Sequence, residues 1–438
     1  MSELHAGWAE ATIPDLVGSD GVFADGDWIE SKDQDPNGDV RLTQLADVGE
    51  GSFRDRSSRF LTNARAGELR CTFLEVGDVL VARMPDPLGR ACLFPGVGQP
   101  TVTAVDVCVI RLGSAGCDPR WLMWVVNAPP IRREILSLQA GTTRKRISRK
   151  NLGTIVLPVP PLNEQRRIVA AIEEHLSRLD AANASLAAAT LRLDSFRSGI
   201  LEDAFACDDP AVEVGSIARI GSGATPKRGR AEYWDGGTIP WVTSGQINDQ
   251  YIREPAELIT AAALRETNVK LWPNGTLLVA LYGEGQTRGR CAELKIEATT
   301  NQACAAIVLN EDIADRVYVR RFFDARYLSN RRLASGGVQP NLSLGLIRGL
   351  QIPLPQVAEQ RRIVARIEEQ FSAIDALRAA IERAQRRSAS LRRAVLERAF
   401  RGDLVPQDPS DEPADLLLAR IRAERDAALP AARRRRTR

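Results

Sequence analysis

Histidine is almost missing: His5 and His175 are the only two in 438 residues. Imidazole-based catalysis and metal sites built from several histidines therefore lack their raw material. The seven cysteines (Cys71, Cys92, Cys108, Cys117, Cys207, Cys291 and Cys304) are odd in number, and none stands in C-x-x-C spacing. That argues against a disulfide framework and against a zinc site, and predicts buried thiols instead. No G-x-x-x-x-G-K-[ST] string occurs, which excludes a phosphate-loop ATPase. No apolar run approaches the ~18 residues that span a bilayer, and the opening MSELHAGWAE lacks the basic and apolar regions of a secretion signal, so a cytoplasmic location is expected. The formal net charge of +3 is too small by itself to point to nucleic acid.

With 44% hydrophobic and 26% charged residues the chain has the composition of a folded protein, and its length calls for two or three domains. An internal repeat organises it. The stretch EQRRIVAAIEEHLSRLDAANASL from Glu164 returns as EQRRIVARIEEQFSAIDALRAAI from Glu359. The register continues without a gap, placing Leu201, Glu202, Ala204 and Phe205 against Leu396, Glu397, Ala399 and Phe400. Upstream, Pro158 and Pro160 meet Pro353 and Pro355. Each copy reads as a proline-rich extended segment followed by one helix of about 42 residues, roughly 60 Å of rod. Val169, Ile172, Leu176, Leu179, Leu186, Leu193 and Ile200 form a heptad seam, matched by Val364, Ile367, Phe371, Ile374, Ile381 and Val395. Asn183, Thr190, Arg197, Arg378, Gln385 and Arg392 interrupt it. Polar residues there weaken a coil but fix its register. The two helices are expected to pack on each other; docking of a partner on a half-polar groove is the other use of such a seam.

The repeat divides the chain into a domain at 1–155, a helix at 156–206, a domain at 207–355, a helix at 356–402 and a tail at 403–438. The two domains are distantly alike. Gly77 to Ala82 corresponds to Gly275 to Ala280, Gly89-Arg90 to Gly289-Arg290, and Gly38-Asp39-Val40 to Gly237-Thr238-Ile239. Short β-rich runs and helical stretches at Asp118 to Val126 and Val317 to Leu328 predict mixed α and β domains. Matched helices with divergent intervening domains suggest that the common parts scaffold and the differing parts recognise.

This alternation of domain and P-x-P…E-Q-R-R-I-V helix, repeated once, resembles the specificity subunits of Type I restriction-modification enzymes over nearly the whole chain. Gly237 to Gln246 (GTIPWVTSGQ) looks like the opening of a target-recognition domain, and Thr300-Asn301-Gln302-Ala303 like a recurrent element inside one. The ending around Asp411-Glu412-Pro413-Ala414 is also similar. The first domain departs from the pattern: Thr103-Ala104-Val105-Asp106 takes the place of the Asn301-Gln302 element, and Asp25-Gly26-Asp27-Trp28 replaces the usual opening. The fold implied is α+β: two mixed target-recognition domains separated by two long helices packed as an antiparallel coiled coil, with a pseudo-twofold internal repeat. The function implied is non-catalytic DNA recognition in phage defence, one half of a bipartite asymmetric target per domain. The partners implied are double-stranded DNA, two methyltransferase subunits docked on the helices, and motor-nuclease subunits in a full restriction complex. S-adenosylmethionine, ATP and magnesium would belong to those partners, with no cofactor in this chain.

Two other classes stay in view. A self-sufficient DNA-modifying enzyme needs an Asn/Asp-Pro-Pro-aromatic loop against a flipped base. Asn127-Ala128-Pro129-Pro130 is the nearest string, and the intervening alanine makes it a helix-ending turn. A coiled-coil scaffold that never reads DNA is the alternative function. Arginine and glutamine suit base edges, while Thr, Ser, Tyr and Lys suit phosphates. The candidate DNA contacts in the second domain are therefore Thr225, Lys227, Arg228, Tyr233, Thr243, Ser244, Gln246, Tyr282, Gln286 and Arg288. Trp241 is weighed against a place in the core, where a large aromatic more often sits. In the first domain they are Gln44, Arg54, Arg56, Arg83, Arg90, Arg144 and Lys145. The arginines 433–436 and Arg438 form a basic tag, either solubilising or weakly DNA-attracting, expected to be disordered.

Overall fold

The computed structural model describes residues 4–428 except 86, 115, 142–144, 207–208, 284–286 and 334–340. Two continuous helices dominate it, Leu162–Ala204 and Val357–Arg401. The first begins at Leu162 and not near 156, because Val156–Val159 is still a strand, paired antiparallel with Ala9–Thr12. The second is preceded in the same way by Gln351–Pro353, paired with Ala211–Glu213. Proline explains the boundary: it cannot donate to a helix ladder, and it biases the preceding residue toward extended backbone.

The chain falls into two compact units, 1–185 with 384–438 and 186–383, so each unit holds one domain plus a half of either helix. In the first unit a four-stranded antiparallel sheet runs Val22–Asp25, Val107–Arg111, Val79–Ala82, Ala91–Leu93, and a three-stranded sheet runs Phe60–Leu61, Val40–Thr43, Thr101–Thr103. In the second unit the same orders recur with an added edge strand each. One sheet runs Ala218–Ser222, Cys304–Leu309, Leu277–Ala280, Cys291–Leu294, Tyr251–Ile252; the other runs Glu257–Ile259, Ile239–Val242, Ala298–Thr300, Leu271–Trp272. The domain repeat read from Gly77 to Ala82 and from Gly38 to Val40 is therefore a repeat of topology. Val79–Ala82 and Leu277–Ala280 are buried on both faces, which is why they read as continuous apolar runs.

A duplicated glutamine ties each domain to its helix. Gln165 is fully buried; its Oε1 accepts from the Asp118 N–H at 3.0 Å and its Nε2 donates to the Pro160 carbonyl at 2.9 Å. Gln360, equally buried, accepts from the Asp315 N–H at 2.7 Å and donates to the Pro355 and Ile313 carbonyls at 2.8 and 3.0 Å. Asp118 and Asp315 are the N-caps of the domain helices Pro119–Asn127 and Arg316–Ala325. One side chain thus satisfies backbone groups that burial would otherwise orphan, and it holds the domain helix against the start of the long one.

Within each unit the helix halves pack antiparallel, and the arginines among the polar seam positions form ion pairs across them. In the second unit Arg197 reaches Asp375 at 2.9 Å and lies 3.9 Å from the Phe371 ring centroid, while Arg378 pairs with Asp194. In the first, Arg392 meets Asp180 at 2.9 Å. The seam is buried where a domain covers it, at Val169, Ile172 and Leu176 or at Ile367, Phe371 and Ile374, and only half-buried at Leu186 and Leu193. The segment expected as a tail forms the helix Ala414–Ala428, whose Ala414, Leu417, Leu418 and Ile421 join the core of the first unit. The arginine tag beyond it lies outside the described residues. No helix among the described residues is long and apolar enough to cross a membrane.

Candidate nucleic-acid interface

In the second domain a small platform forms where the strand Ala298–Thr300 ends. A Cβ on Gly223 would lie 1.9 Å from the Thr300 carbonyl oxygen, so only glycine lets this loop rest on the strand end. The Ala224 N–H donates to that oxygen at 2.9 Å, and the Asn301 N–H to the Val242 carbonyl at 2.9 Å. These bonds raise two exposed side chains side by side: the Thr225 hydroxyl donates to Gln302 Oε1 at 2.5 Å. A polar cleft of about 680 Å³ opens beside them, closed on its far wall by Thr267 to Lys270. Asn268 and Lys270 on that wall are exposed.

The first domain builds the same backbone. A Cβ on Gly26 would lie 2.1 Å from the Ala104 carbonyl oxygen. The Asp27 N–H donates to the Thr103 carbonyl at 2.8 Å and the Ala104 N–H to Thr43 at 3.0 Å. Trp28 then stands where Thr225 stands in the other domain, and it is 70% exposed, its indole N–H donating to Glu30 at 3.2 Å. Val105 occupies the position of Gln302.

The predicted contacts divide sharply. Arg83 and Arg90 are corrected: both are buried, and their guanidinium groups serve the fold. Arg83 donates to the Ile147 and Val105 carbonyls and pairs with Asp25 at 2.5 Å. Arg90 donates to the Val48, Pro87 and Leu45 carbonyls at 2.6, 2.9 and 2.6 Å. Tyr233 is corrected too, being buried with its hydroxyl held by Arg230 and Glu266. Trp241 is in the core, donating to the Ala224 carbonyl beneath the platform at 3.1 Å. Arg228 is exposed but engaged: it pairs with Glu257 and lies 3.9 Å from the Trp234 ring centroid. The same pairing holds the Glu257 carboxyl below its usual range.

Gln44, Arg54 and Arg56 lie on a loop folded around buried Asp47, which accepts from the backbone N–H groups of Gln44, Arg56 and Ser57 and leaves the Arg54 and Arg56 side chains exposed. Thr243, Ser244 and Gln246 form a short turn in which Gln246 Nε2 donates to the Glu254 carbonyl at 3.0 Å. Lys145, Lys227 and Tyr282 are exposed, and Arg288 is half-buried. Arg144 and Gln286 lie outside the described residues. Asn127 of the pseudo-catalytic string binds the Ala91 backbone and links two helices, as a structural turn does. Gln302, Asn268, Lys270 and Trp28 are exposed here and were not among the candidates, although Gln302 and Trp28 sit in the two strings at which the domains depart from each other.

Two mixed domains of related topology, each carrying an exposed loop platform and each packed on a long helix, define a duplicated domain-plus-helix architecture. Residues 211–385 match the family model for the Type I restriction modification DNA specificity domain. The StySPI specificity subunit of Salmonella potsdam is 24% identical over 337 residues, covering 70% of this chain and 72% of that one. The EcoKI specificity subunit of Escherichia coli K12 is 26% identical, covering 68% and 70%. In fold, the chain is similar to a solved structure of a type I R-M system (TM-score 0.71, 20% identity, 92% of this chain and 100% of that one) and to the HsdS subunit of Thermoanaerobacter tengcongensis (TM-score 0.58, 20% identity, 92% and 98%). Over about 70% of its length the chain is similar to Type I restriction enzyme specificity subunits, and residues 211–385 carry the match to the DNA specificity domain.

Proposed function

We propose that this chain is the DNA-recognition subunit of a Type I restriction-modification methyltransferase, reading a bipartite target with one half-site per domain. The observation that carries it is the duplicated domain-plus-helix architecture, whose second domain matches the specificity-domain family model. The chain supplies recognition and its partners supply chemistry. S-adenosylmethionine, ATP and magnesium are held by those partners, two methyltransferase subunits docked on the long helices and motor-nuclease subunits in the restricting complex. Half-sites read from one face of B-DNA recur about every 34 Å. Helices of 43 and 45 residues, about 65 Å each, are on that scale, and setting the spacer is the role we assign them. Adding one heptad to each, about 10 Å of rise, is expected to lengthen the tolerated spacer.

The test is co-expression with the methyltransferase partner and mapping of methylated adenines over a genome. A bipartite motif that depends on this chain supports the reading. A partner that methylates identically without the chain refutes it, and so does binding that is equal on every duplex, the behaviour of a scaffold.

A further inference from the structure

We propose that Arg56 reads a guanine in the half-site of the first domain and that buried Asp47 is the positioning residue that presents it. The proposal rests on the function above and names the specificity-determining side chain of one domain. The loop that carries Arg56 leaves the strand Val40–Thr43 and returns as Phe60–Leu61. Its counterpart in the second domain leaves Ile239–Val242 and returns as Glu257–Ile259. The match of Gly38 with Gly237 continues without a gap into both loops, setting Asp47 against Gln246, Phe53 against Ile252 and Arg56 against Pro255. The packing keeps that register: Val48 and Phe53 share an apolar cluster with Leu80 and Ala82, and Ile247 and Ile252 share one with Leu278 and Ala280.

Asp47 and Gln246 grip the same peptide unit of the loop from opposite sides. Asp47 Oδ1 accepts from the N–H of Arg56 at 2.6 Å, whereas Gln246 Nε2 donates at 3.0 Å to the carbonyl of Glu254, across the peptide bond from Pro255. Each gripping residue suits the chain it holds: a carboxylate only accepts, and proline has no N–H to offer one. In the first domain the grip is reinforced on both sides of Arg56. Asp55 takes a left-handed backbone, φ +47°, and its carboxylate pairs with Arg41, which also donates to the Ser57 carbonyl at 2.9 Å. The second domain has a proline, Pro240, at the place of Arg41. A fully buried carboxylate and a left-handed aspartate are costs to the fold, and what they deliver is a fixed backbone under one exposed side chain.

That side chain is unspent. The Arg56 guanidinium has no hydrogen-bond or ion-pair partner among the described residues. The acidic residues of its loop are all occupied: Asp47 by backbone N–H groups, Glu50 by Arg132 at 3.5 Å and Asp55 by Arg41. Arginine matches guanine bidentately at O6 and N7, and a backbone held on both sides lowers the entropy lost in that contact. Arg54, by contrast, stands against Arg253, and both are exposed. A residue common to both domains gives no ground for two different half-sites, and Arg54 is assigned to a phosphate.

The experiment is methylation mapping, with duplex binding at several salt concentrations, on the intact methyltransferase complex. Arg56→Ala is expected to make one guanine position of one half-site degenerate, a loss of discrimination between about fivefold and 150-fold, with the other half-site unchanged. Arg56→Gln is expected to move that position from guanine toward adenine, a new preference that a damaged fold does not produce. Arg54→Ala is expected to weaken binding uniformly over sequences and to reduce the salt slope by about one, leaving the motif intact. Asp47→Asn, which keeps the shape of the side chain, is expected to relax the same position as Arg56→Ala and to add nothing in the Arg56→Ala background. Weakening of the whole half-site by Asp47→Asn in both backgrounds would overturn its positioning role. A motif retained at every position by Arg56→Ala and Arg56→Gln, or changed in both halves, overturns this inference alone. A wild-type chain that directs no motif overturns the function on which it rests.

Discussion

Replacing Gln360 by methionine keeps the volume of the side chain and deletes three hydrogen bonds, those with the Asp315 N–H, the Pro355 carbonyl and the Ile313 carbonyl. The side chain is fully buried, so water does not take its place. Each buried backbone group left without a partner costs about 1–3 kcal/mol, and three together are expected to cost about 3–5 kcal/mol. For a unit of this size each 1 kcal/mol lowers Tm by about 2–4 °C, so thermal unfolding of the second unit should begin at least about 6 °C earlier. Hydrogen exchange on the full chain localises the effect. The Asp315 amide should exchange about a hundredfold faster or more, while amides of the first domain keep their protection. Gln165→Met should reverse the pattern, exposing Asp118 instead. An Asp315 amide that stays protected, with a Tm shift under about 1 °C, would refute the claim that this glutamine clamps domain to helix.

Arg90→Ala is expected to lower stability by several kcal/mol, since it orphans three carbonyls, and to leave the methylated motif unaltered in whatever complex still assembles; a changed motif would return Arg90 to the contact surface. Arg392→Ala, which removes a partly exposed ion pair with Asp180, should cost less than about 1 kcal/mol in a double-mutant cycle, and Arg197→Ala should cost more because it also loses Phe371. Burial raises the Glu164 carboxyl above its usual value, against the pull of the Trp8 N–H at 3.0 Å and of Arg167. A carboxyl raised in the folded state contributes stability that is fully present below its unfolded value and is lost as pH rises through the folded one. Glu164→Gln should therefore raise Tm at pH 8 and leave it unchanged at pH 4, and a lower Tm at pH 8 would contradict this.

The helices, their repeat and the two-domain division were legible in the sequence because 3.6-residue periodicity and proline punctuation are local signals. The role of Gln165 and Gln360 was not, since their partners Asp118 and Asp315 stand 47 and 45 residues away in the chain. Arginine was the main source of misassignment at the site. Nothing local distinguishes Arg54, whose side chain is exposed, from Arg90, whose guanidinium is spent on carbonyls of a loop that only tertiary folding brings near. The helix Ala414–Ala428 was passed over for a related reason: its apolar face is short, and the surface it covers is built from residues at the opposite end of the chain, such as Ile13 and Leu16. Trp28 and Gln302 were visible as a mismatch between repeats, but their shared platform needed the two strand ends to be seen.

The most direct test of the central claim is a domain exchange. Residues 211–353 would be replaced by the corresponding domain of another specificity subunit, with both long helices retained, and the methylated motif mapped in the complex with the methyltransferase partner. Recognition divided between the domains predicts that one half of the bipartite motif is replaced while the other half and the spacer persist; a motif that changes in both halves, or in neither, would contradict it.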